Sequence, residues 1–134
     1  EEDMLAPNYA ISSEGSINVC APYKCSMYKW TFYKVTNIKN GSETEIHSEL
    51  TDITDYLSFH EGSGKDKREF RVNVAKSYMG EVVNGSKTTK SKLSTGTYIL
   101  HLKVIGDNGK TYNDYCKIII YEQIYEKADF FKED

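Results

Sequence analysis

The most regular pattern of apolar and polar positions lies between residues 97 and 121. In residues 97–105 every second side chain is apolar, and the alternating residues are polar or less uniform. This period of two is typical of a β-strand with one buried face. Residues 106–109 read Gly-Asp-Asn-Gly, which tolerates positive φ and favours a tight turn. A second alternation follows in residues 111–121, so the segment predicts a β-hairpin. Its predicted core-facing residues are Tyr98, Leu100, Leu102, Val104, Tyr112, Cys116, Ile118 and Ile120.

The same alternation, bounded by turn residues, predicts further strands upstream. The strand over residues 28–33 carries the only tryptophan, Trp30, and we expect Trp30 and Tyr98 to be buried in one core. Pro22 should end the first strand because proline lacks the N–H group that a sheet needs. The remaining predicted strands cover residues 16–21, 43–50, 70–75 and 78–83.

One stretch has a different period. Ile53, Tyr56, Leu57 and His60 are spaced as on a helix and follow Thr51-Asp52, which suits an N-cap. We therefore predict one short helical crossover near residues 52–60.

Composition favours the all-β class. Aromatic residues make up 13% of the 134 residues, and eleven of them are tyrosines, which suit a half-buried pleated surface. Seven or so short strands separated by turns are typical of a β-sandwich. The length fits one domain over residues 1–134, and we expect flexible ends at about residues 1–8 and 124–134.

Two segments of the pattern resemble a known family. Tyr28-Lys29-Trp30-Thr31-Phe32 is similar to the Tyr-x-Trp-x-Phe strand of polycystic-kidney-disease (PKD) domains. Gly96-Thr97-Tyr98, followed by the turn at Asp107-Asn108-Gly109, resembles the closing hairpin of that family. The resemblance covers about half of the chain. It implies an immunoglobulin-like antiparallel β-sandwich in a bacterial surface, periplasmic or secreted protein, such as a lipoprotein or an adhesion protein, usually without catalytic activity.

The cysteines bear on the compartment. Cys20, Cys25 and Cys116 lack the closely spaced pairs of a zinc motif. A Cys20–Cys25 disulfide is favoured over Cys20–Cys116, and three free thiols remain the alternative. A disulfide would agree with an extracytoplasmic location.

Other chemistry is sparse. The net charge of −3, with acids and bases well mixed, gives no indication of nucleic-acid binding. No apolar run approaches the roughly 20 residues that a membrane span needs. The sequence suggests no catalytic group and no cofactor. It also suggests no metal site, because His47, His60 and His101 lack ligand spacing. Four further features favour turns or solvated loops: a conceivable calcium site around residues 107–114, the lysines of residues 87–92, and the Asn-Gly-Ser sequences at 40–42 and 84–86.

The tyrosines supply the one candidate binding surface. By alternation, Tyr33, Tyr115 and Tyr121 point away from the predicted core, and His101 and Lys103 lie beside them. Tyrosine presents a large, stiff, amphipathic surface at low entropic cost and is common in binding faces. The sequence therefore predicts a non-enzymatic module that binds a protein or glycan partner through these tyrosines. The alternative is a structural spacer or assembly domain without a ligand of its own.

Overall fold

A computed structural model of the chain describes residues 7–39, 46–76, 81–83, 86–88 and 92–123. Strands dominate this part of the chain, and its helical structure is a single-turn 3₁₀ helix, Thr54–Tyr56. In chain order the strands are β1 Pro7–Ser12, β2 Ser16–Cys20, β3 Met27–Lys39, β4 Ile46–Asp52, β5 Glu69–Asn73, β6 Glu81–Val83, β7 Ser86–Thr88, β8 Gly96–Ile105 and β9 Thr111–Tyr121.

The strands form one large sheet and two small ones. The large sheet has five strands in the order β1-β9-β8-β3-β4. Strands β2 and β5 form an antiparallel pair, and β6 and β7 form another. The predicted closing hairpin is confirmed: β8 and β9 pair antiparallel along their length, and Gly109 takes a φ of 78° in the turn between them. Glycine adopts that backbone conformation without steric cost.

The first strand was not predicted. β1 runs parallel to β9, with Tyr9 opposite Ile118 and Ile11 opposite Ile120. Beyond β1, the Ser13 amide donates to the Tyr121 carbonyl over 2.7 Å. β1 begins at Pro7, within the segment of about residues 1–8 that we expect to be flexible, and residues 1–6 and 124–134 lie outside the described part.

One apolar core lies between the five-stranded sheet and the β2–β5 pair, which is the arrangement of an all-β sandwich. Phe70 of β5 links the layers, because its ring centroid lies 5.6 Å from that of Trp30 and 5.5 Å from that of Phe32. Phe32 in turn stacks on Tyr98 at 4.9 Å. Each such side chain contributes roughly 1.5–3 kcal/mol through burial. The other buried apolar residues of this core are Ile17, Ala21, Ile53, Leu57, Val72, Val74, Leu93, Leu100, Ile118 and Ile120.

The predicted core is confirmed over most of its length and wrong at one end. Trp30 and Tyr98 are buried, and so are Leu100, Ile118 and Ile120. Further along the hairpin, Leu102 and Cys116 are half-buried and pack against the edge of this core, whereas half-buried Val104 and half-exposed Tyr112 lie beyond it. The physical reason is strand length: β2 and β5 have five residues each and span about 17 Å, whereas the ten residues of β8 span about 34 Å. The β2–β5 pair therefore covers only part of the hairpin.

The predicted helical crossover near residues 52–60 is present as the 3₁₀ helix. The predicted N-cap at Thr51-Asp52 is wrong by one residue, because the N-cap position falls on Ile53, which makes no side-chain cap hydrogen bond. Asp52 still supports the turn, since its Oδ1 accepts hydrogen bonds from the Thr54 amide and hydroxyl at 2.9 and 2.6 Å. The Thr54 hydroxyl also accepts from the buried Phe32 amide at 2.8 Å, and the Ile53 amide donates to the Phe32 carbonyl. The crossover thus supplies hydrogen-bond partners for the amide and carbonyl groups of Phe32, just beyond the part of β3 that pairs with β4.

The remaining predicted strands differ mainly in their bounds. β4 extends to Asp52, two residues past its predicted end, while residues 43–45 of that prediction lie outside the described part. The predicted strand over residues 78–83 is described only as β6. Both predicted Asn-Gly-Ser turns include residues outside the described part. Lys90 also lies outside it. Lys87 belongs to β7 and Lys92 is exposed.

Candidate functional site

The three predicted tyrosines share the outer face of the five-stranded sheet. Tyr33 on β3 pairs with Ile99 on β8, while Tyr115 on β9 pairs with His101 of β8. Cross-strand partners project from the same face of a sheet, and so do residues two apart on one strand. Tyr33, Tyr115 and Tyr121 therefore all lie on the face opposite the core. Tyr115 and Tyr121 are half-exposed, whereas Tyr33 is half-buried.

Sharing a face does not bring the three tyrosines together. Tyr115 and Tyr121 stand six residues apart on β9, which separates them by about 20 Å. Tyr33 lies two strands away from β9. The fully buried Ile99 occupies the row between Tyr33 and Lys117, and Thr31 of the next row is buried as well. The outer face consequently offers separate aromatic positions instead of one continuous patch.

A local cluster surrounds Tyr115. The His101 and Tyr115 rings are stacked, with centroids 4.4 Å apart and planes within 8°. His101 Nε2 lies 2.8 Å from Asn113 Oδ1, which fixes the ring in the plane of the stack. Exposed Lys103 lies opposite Asn113. The two polar neighbours predicted for the tyrosine face are thus beside Tyr115 and not beside Tyr121.

A concave feature of the described residues lies on the other face of the sheet. A cleft of about 710 Å³, which we call the hairpin cleft, opens between residues 21–25 and the tip of the β8–β9 hairpin. Half-buried Leu102 and Val104 line it on β8, and the rings of Tyr23 and Tyr112 line it at 76% and 51% exposure. Its volume falls in the range of ligand sites in proteins.

The cleft forms because the chain leaves the sandwich at Pro22. The loop that begins there is tied back to the hairpin at its far end: the Ser26 amide donates to the Ile105 carbonyl at 3.0 Å, and the Ser26 hydroxyl donates to Asp107 Oδ1 at 2.9 Å. The tip is braced in turn, since Asn108 Nδ2 donates to the Tyr112 hydroxyl at 3.1 Å. Loop and hairpin therefore stand apart as two walls over the uncovered end of β8.

Sequence reasoning missed this cleft, although a signal for it was present. The alternation places Leu102, Val104 and Tyr112 on the core side, which is correct. The predicted partner strands are shorter than the hairpin, and that difference leaves apolar side chains without cover. Comparing strand lengths across the two layers would have located the cleft.

The cysteines lie around the cleft and a smaller one next to it. Cys25 lines the hairpin cleft, while Cys20 and Cys116 both line the adjoining cleft of about 290 Å³. All three are free thiols in the structure, so the Cys20–Cys25 disulfide is not formed there and its formation under oxidising conditions stays a prediction. Burial, together with the nearby Asp114 carboxylate, raises the pKa of Cys116 to about 11.

Within the described ranges, no three His, Cys, Asp or Glu side chains are placed to hold a metal ion. His60 is exposed in the loop after the 3₁₀ helix, and its amide donates to the Arg71 carbonyl. In the turn at the start of residues 107–114, the conceivable calcium site, Asn108 Oδ1 accepts a hydrogen bond from the Lys110 amide, which is the role of a turn residue.

Comparison with protein-family models and with curated proteins finds no match for this chain. In the described part of the structure, no helix has the length and apolar character needed to cross a membrane.

Proposed function

We propose that this chain is a non-enzymatic, immunoglobulin-like module of a bacterial surface or periplasmic protein, and that it binds a protein or glycan partner. One observation carries the binding role: large apolar side chains are exposed along the closing hairpin and around its cleft. Tyr112, Tyr115 and Tyr121 on β9 and Tyr23 across the cleft are 48–76% exposed. Exposed aromatic side chains are enriched at interaction surfaces, and β9 carries such side chains on both of its faces.

Three features support the immunoglobulin-like part of the proposal. The last strand lies between the first strand and β8 in the large sheet, and a tryptophan on a central strand packs across the core. The Tyr98 hydroxyl donates to the Ser94 carbonyl four residues upstream, at 2.7 Å. A corner tyrosine with this bond is a feature of immunoglobulin-like sandwiches. Burial of the Tyr98 ring raises its pKa, which keeps the hydroxyl protonated as the donor.

The extracytoplasmic placement rests on the resemblance to PKD domains and on the predicted Cys20–Cys25 disulfide. Exposed Cys20 provides a direct test. A membrane-impermeant maleimide added to intact cells after mild reduction should label the protein, and a Cys20→Ser/Cys25→Ser variant should lose most of the label. Spheroplasts without an outer membrane extend the test to a periplasmic protein, and labelling that occurs only after the spheroplasts are lysed would place the protein in the cytoplasm.

The binding role is tested with Tyr115→Ala and Tyr121→Ala. Each variant should change the free energy of unfolding by under about 1 kcal/mol, because little apolar area leaves the core. Binding to a glycan array or to partners from the native cell surface should fall at least tenfold for one of them, as expected when a few aromatic anchors dominate an interface. Glu14→Ala, an exposed change on the turn between β1 and β2, is the control. If neither tyrosine variant alters binding, and wild type retains no partner, the spacer alternative is favoured.

A further inference from the structure

The hairpin wall of the cleft has the periodicity of an extended chain. On its hairpin wall, Asp114 lies opposite Leu102 and Tyr112 lies opposite Val104. Residues two apart on a strand are spaced by about 6.8 Å, so the wall repeats at the interval of alternate side chains in an extended peptide. Asp107 continues the wall beyond Tyr112, at the turn. A segment lying along the hairpin would meet a carboxylate, an apolar stretch and a second carboxylate in order.

The charges of the cleft are unbalanced. Among the described residues, neither Asp107 nor Asp114 forms an ion pair; Asp107 accepts a hydrogen bond from the Ser26 hydroxyl, and Asp114 accepts one from the Tyr115 amide. Both carboxylates are exposed at the rim. The opposite wall carries one cation, Lys24. Two unpaired carboxylates on the hairpin wall therefore favour a cationic ligand, and the effect of Asp114 on the Cys116 thiol shows that its field reaches into the adjoining cleft.

The aliphatic part of the lining favours a peptide over a sugar. Leu102 and Val104 carry no polar side-chain atoms, so sugar hydroxyls placed above them would lose hydrogen bonds to water without replacement. A leucine-like side chain would instead bury apolar surface there, between the Tyr23 and Tyr112 rings.

We infer that the hairpin cleft binds an extended peptide segment in which an apolar residue is flanked, two positions away on each side, by lysine or arginine. This assignment rests on the proposed binding function and names the partner chemistry. The apolar residue would lie over Leu102 and Val104, and the two cations would lie near Asp114 and Asp107. Lys24 on the loop wall would disfavour cations there, which gives the bound segment a preferred side.

The test uses three blocked synthetic heptapeptides and amide chemical shifts of the labelled protein. The first peptide reads Ser-Lys-Ser-Leu-Ser-Lys-Ser, the second has both lysines replaced by glutamate, and the third has leucine replaced by serine. We expect the first to bind at least tenfold more tightly than either analogue, with shifts at Leu102, Val104 and Asp114. Its affinity should fall with added salt, because exposed charges are screened.

Charge-neutral variants identify the groups responsible. Asp107→Asn/Asp114→Asn should weaken binding of the lysine peptide at least tenfold and flatten its salt dependence. Glu14→Gln/Glu61→Gln makes the same change in net charge at exposed positions outside the cleft and should leave the affinity unchanged. Tyr112→Ala should weaken binding to a similar extent through lost apolar contact.

Several outcomes would overturn the inference. Equal binding of the glutamate peptide would exclude charge recognition by the two aspartates, and shifts confined to Tyr115 and Tyr121 would place the site on the outer face. Tighter binding of neutral maltotetraose at the cleft would identify a sugar site. If no peptide binds but Tyr115→Ala or Tyr121→Ala still loses a native partner, this inference is wrong while the proposed function stands.

Discussion

Trp30 combines apolar burial with a single polar contact. Its ring is 3% exposed, and its Nε1 donates to the Lys67 carbonyl at 2.7 Å. Trp30→Ala should lower the free energy of unfolding by about 3–5 kcal/mol, the range for truncating a large buried aromatic residue. Trp30→Phe keeps an aromatic ring and removes the donor, so it should cost clearly less. Urea denaturation measures both, and an unchanged midpoint for Trp30→Ala would contradict the core described above.

The thiols should differ in reactivity. Thiolate is the nucleophilic form, and at pH 8 the raised pKa of Cys116 keeps that thiol protonated, whereas Cys20 is exposed. Iodoacetamide should therefore modify Cys20 well before Cys116 in the reduced, folded protein, as peptide mapping would show. In urea the two rates should converge.

In the oxidised protein, a mass deficit of about 2 Da with Cys20 protected would support the predicted Cys20–Cys25 bond, and three reactive thiols would exclude it.

Ionisation of the Cys116 thiol should also lower the free energy of unfolding at alkaline pH. Its pKa is about 11 in the folded protein against 9.0 for the ordinary thiol, so the folded state holds its proton more tightly. The stabilisation that this protonated thiol gives to the folded state is fully present below pH 9 and is lost as the pH rises towards 11. Cys116→Ala should make the fall in unfolding free energy over this interval shallower, measured by urea denaturation at several pH values. An identical pH dependence would show that other groups, such as Tyr98, control it.

At this scale the sequence predicted the interior well and the surface site poorly. Alternation identified Trp30 and Tyr98 as core residues because burial repeats with the strand period. It also placed Tyr115 and Tyr121 outward correctly. It could not give the distance between them, because that depends on which strands are neighbours and in what register.

Among the elements, β3 depends most on a single side chain outside the sheet. The Thr54 hydroxyl accepts the buried Phe32 amide hydrogen bond. Thr54→Val keeps the shape and leaves that N–H group unpaired, so it should cost about 1–3 kcal/mol. Thr54→Ser keeps the hydroxyl and should cost less. Hydrogen exchange at the Phe32 amide should accelerate in Thr54→Val alone; equal exchange in both variants would contradict this role of the hydroxyl.

Strand β1 shows why one element escaped prediction. Residues 7–12 read Pro-Asn-Tyr-Ala-Ile-Ser, with too few apolar positions for a clear alternation. The strand is stabilised by its pairing with β9 at the other end of the chain. Such non-local pairing leaves no mark on the local sequence. The hairpin cleft escaped for a related reason, because it arises from a difference in extent between two layers.

At the scale of the whole molecule, β1 covers one edge of the large sheet. Deleting residues 1–12 should expose the backbone of β9, lower the free energy of unfolding and promote association through the free edge. Size-exclusion chromatography and urea denaturation would report both effects. Deleting residues 1–6 keeps every described strand and is the control. A stable monomer lacking residues 1–12 would show that β1 contributes little to the sheet.

The parallel pairing of β1 with β9 also sets an order in time. About 100 residues separate the two strands, and at roughly 5–20 residues per second a ribosome needs about 5–20 s to make them. During that interval β1 has no partner strand. The amide of Ser13 meets the Tyr121 carbonyl, and the amide of Gln123 meets the Ser13 hydroxyl, only when the end of β9 has emerged. The β1–β9 edge of the sheet can thus form only after β9 has left the ribosome, and β1 is among the last of the described strands to pair.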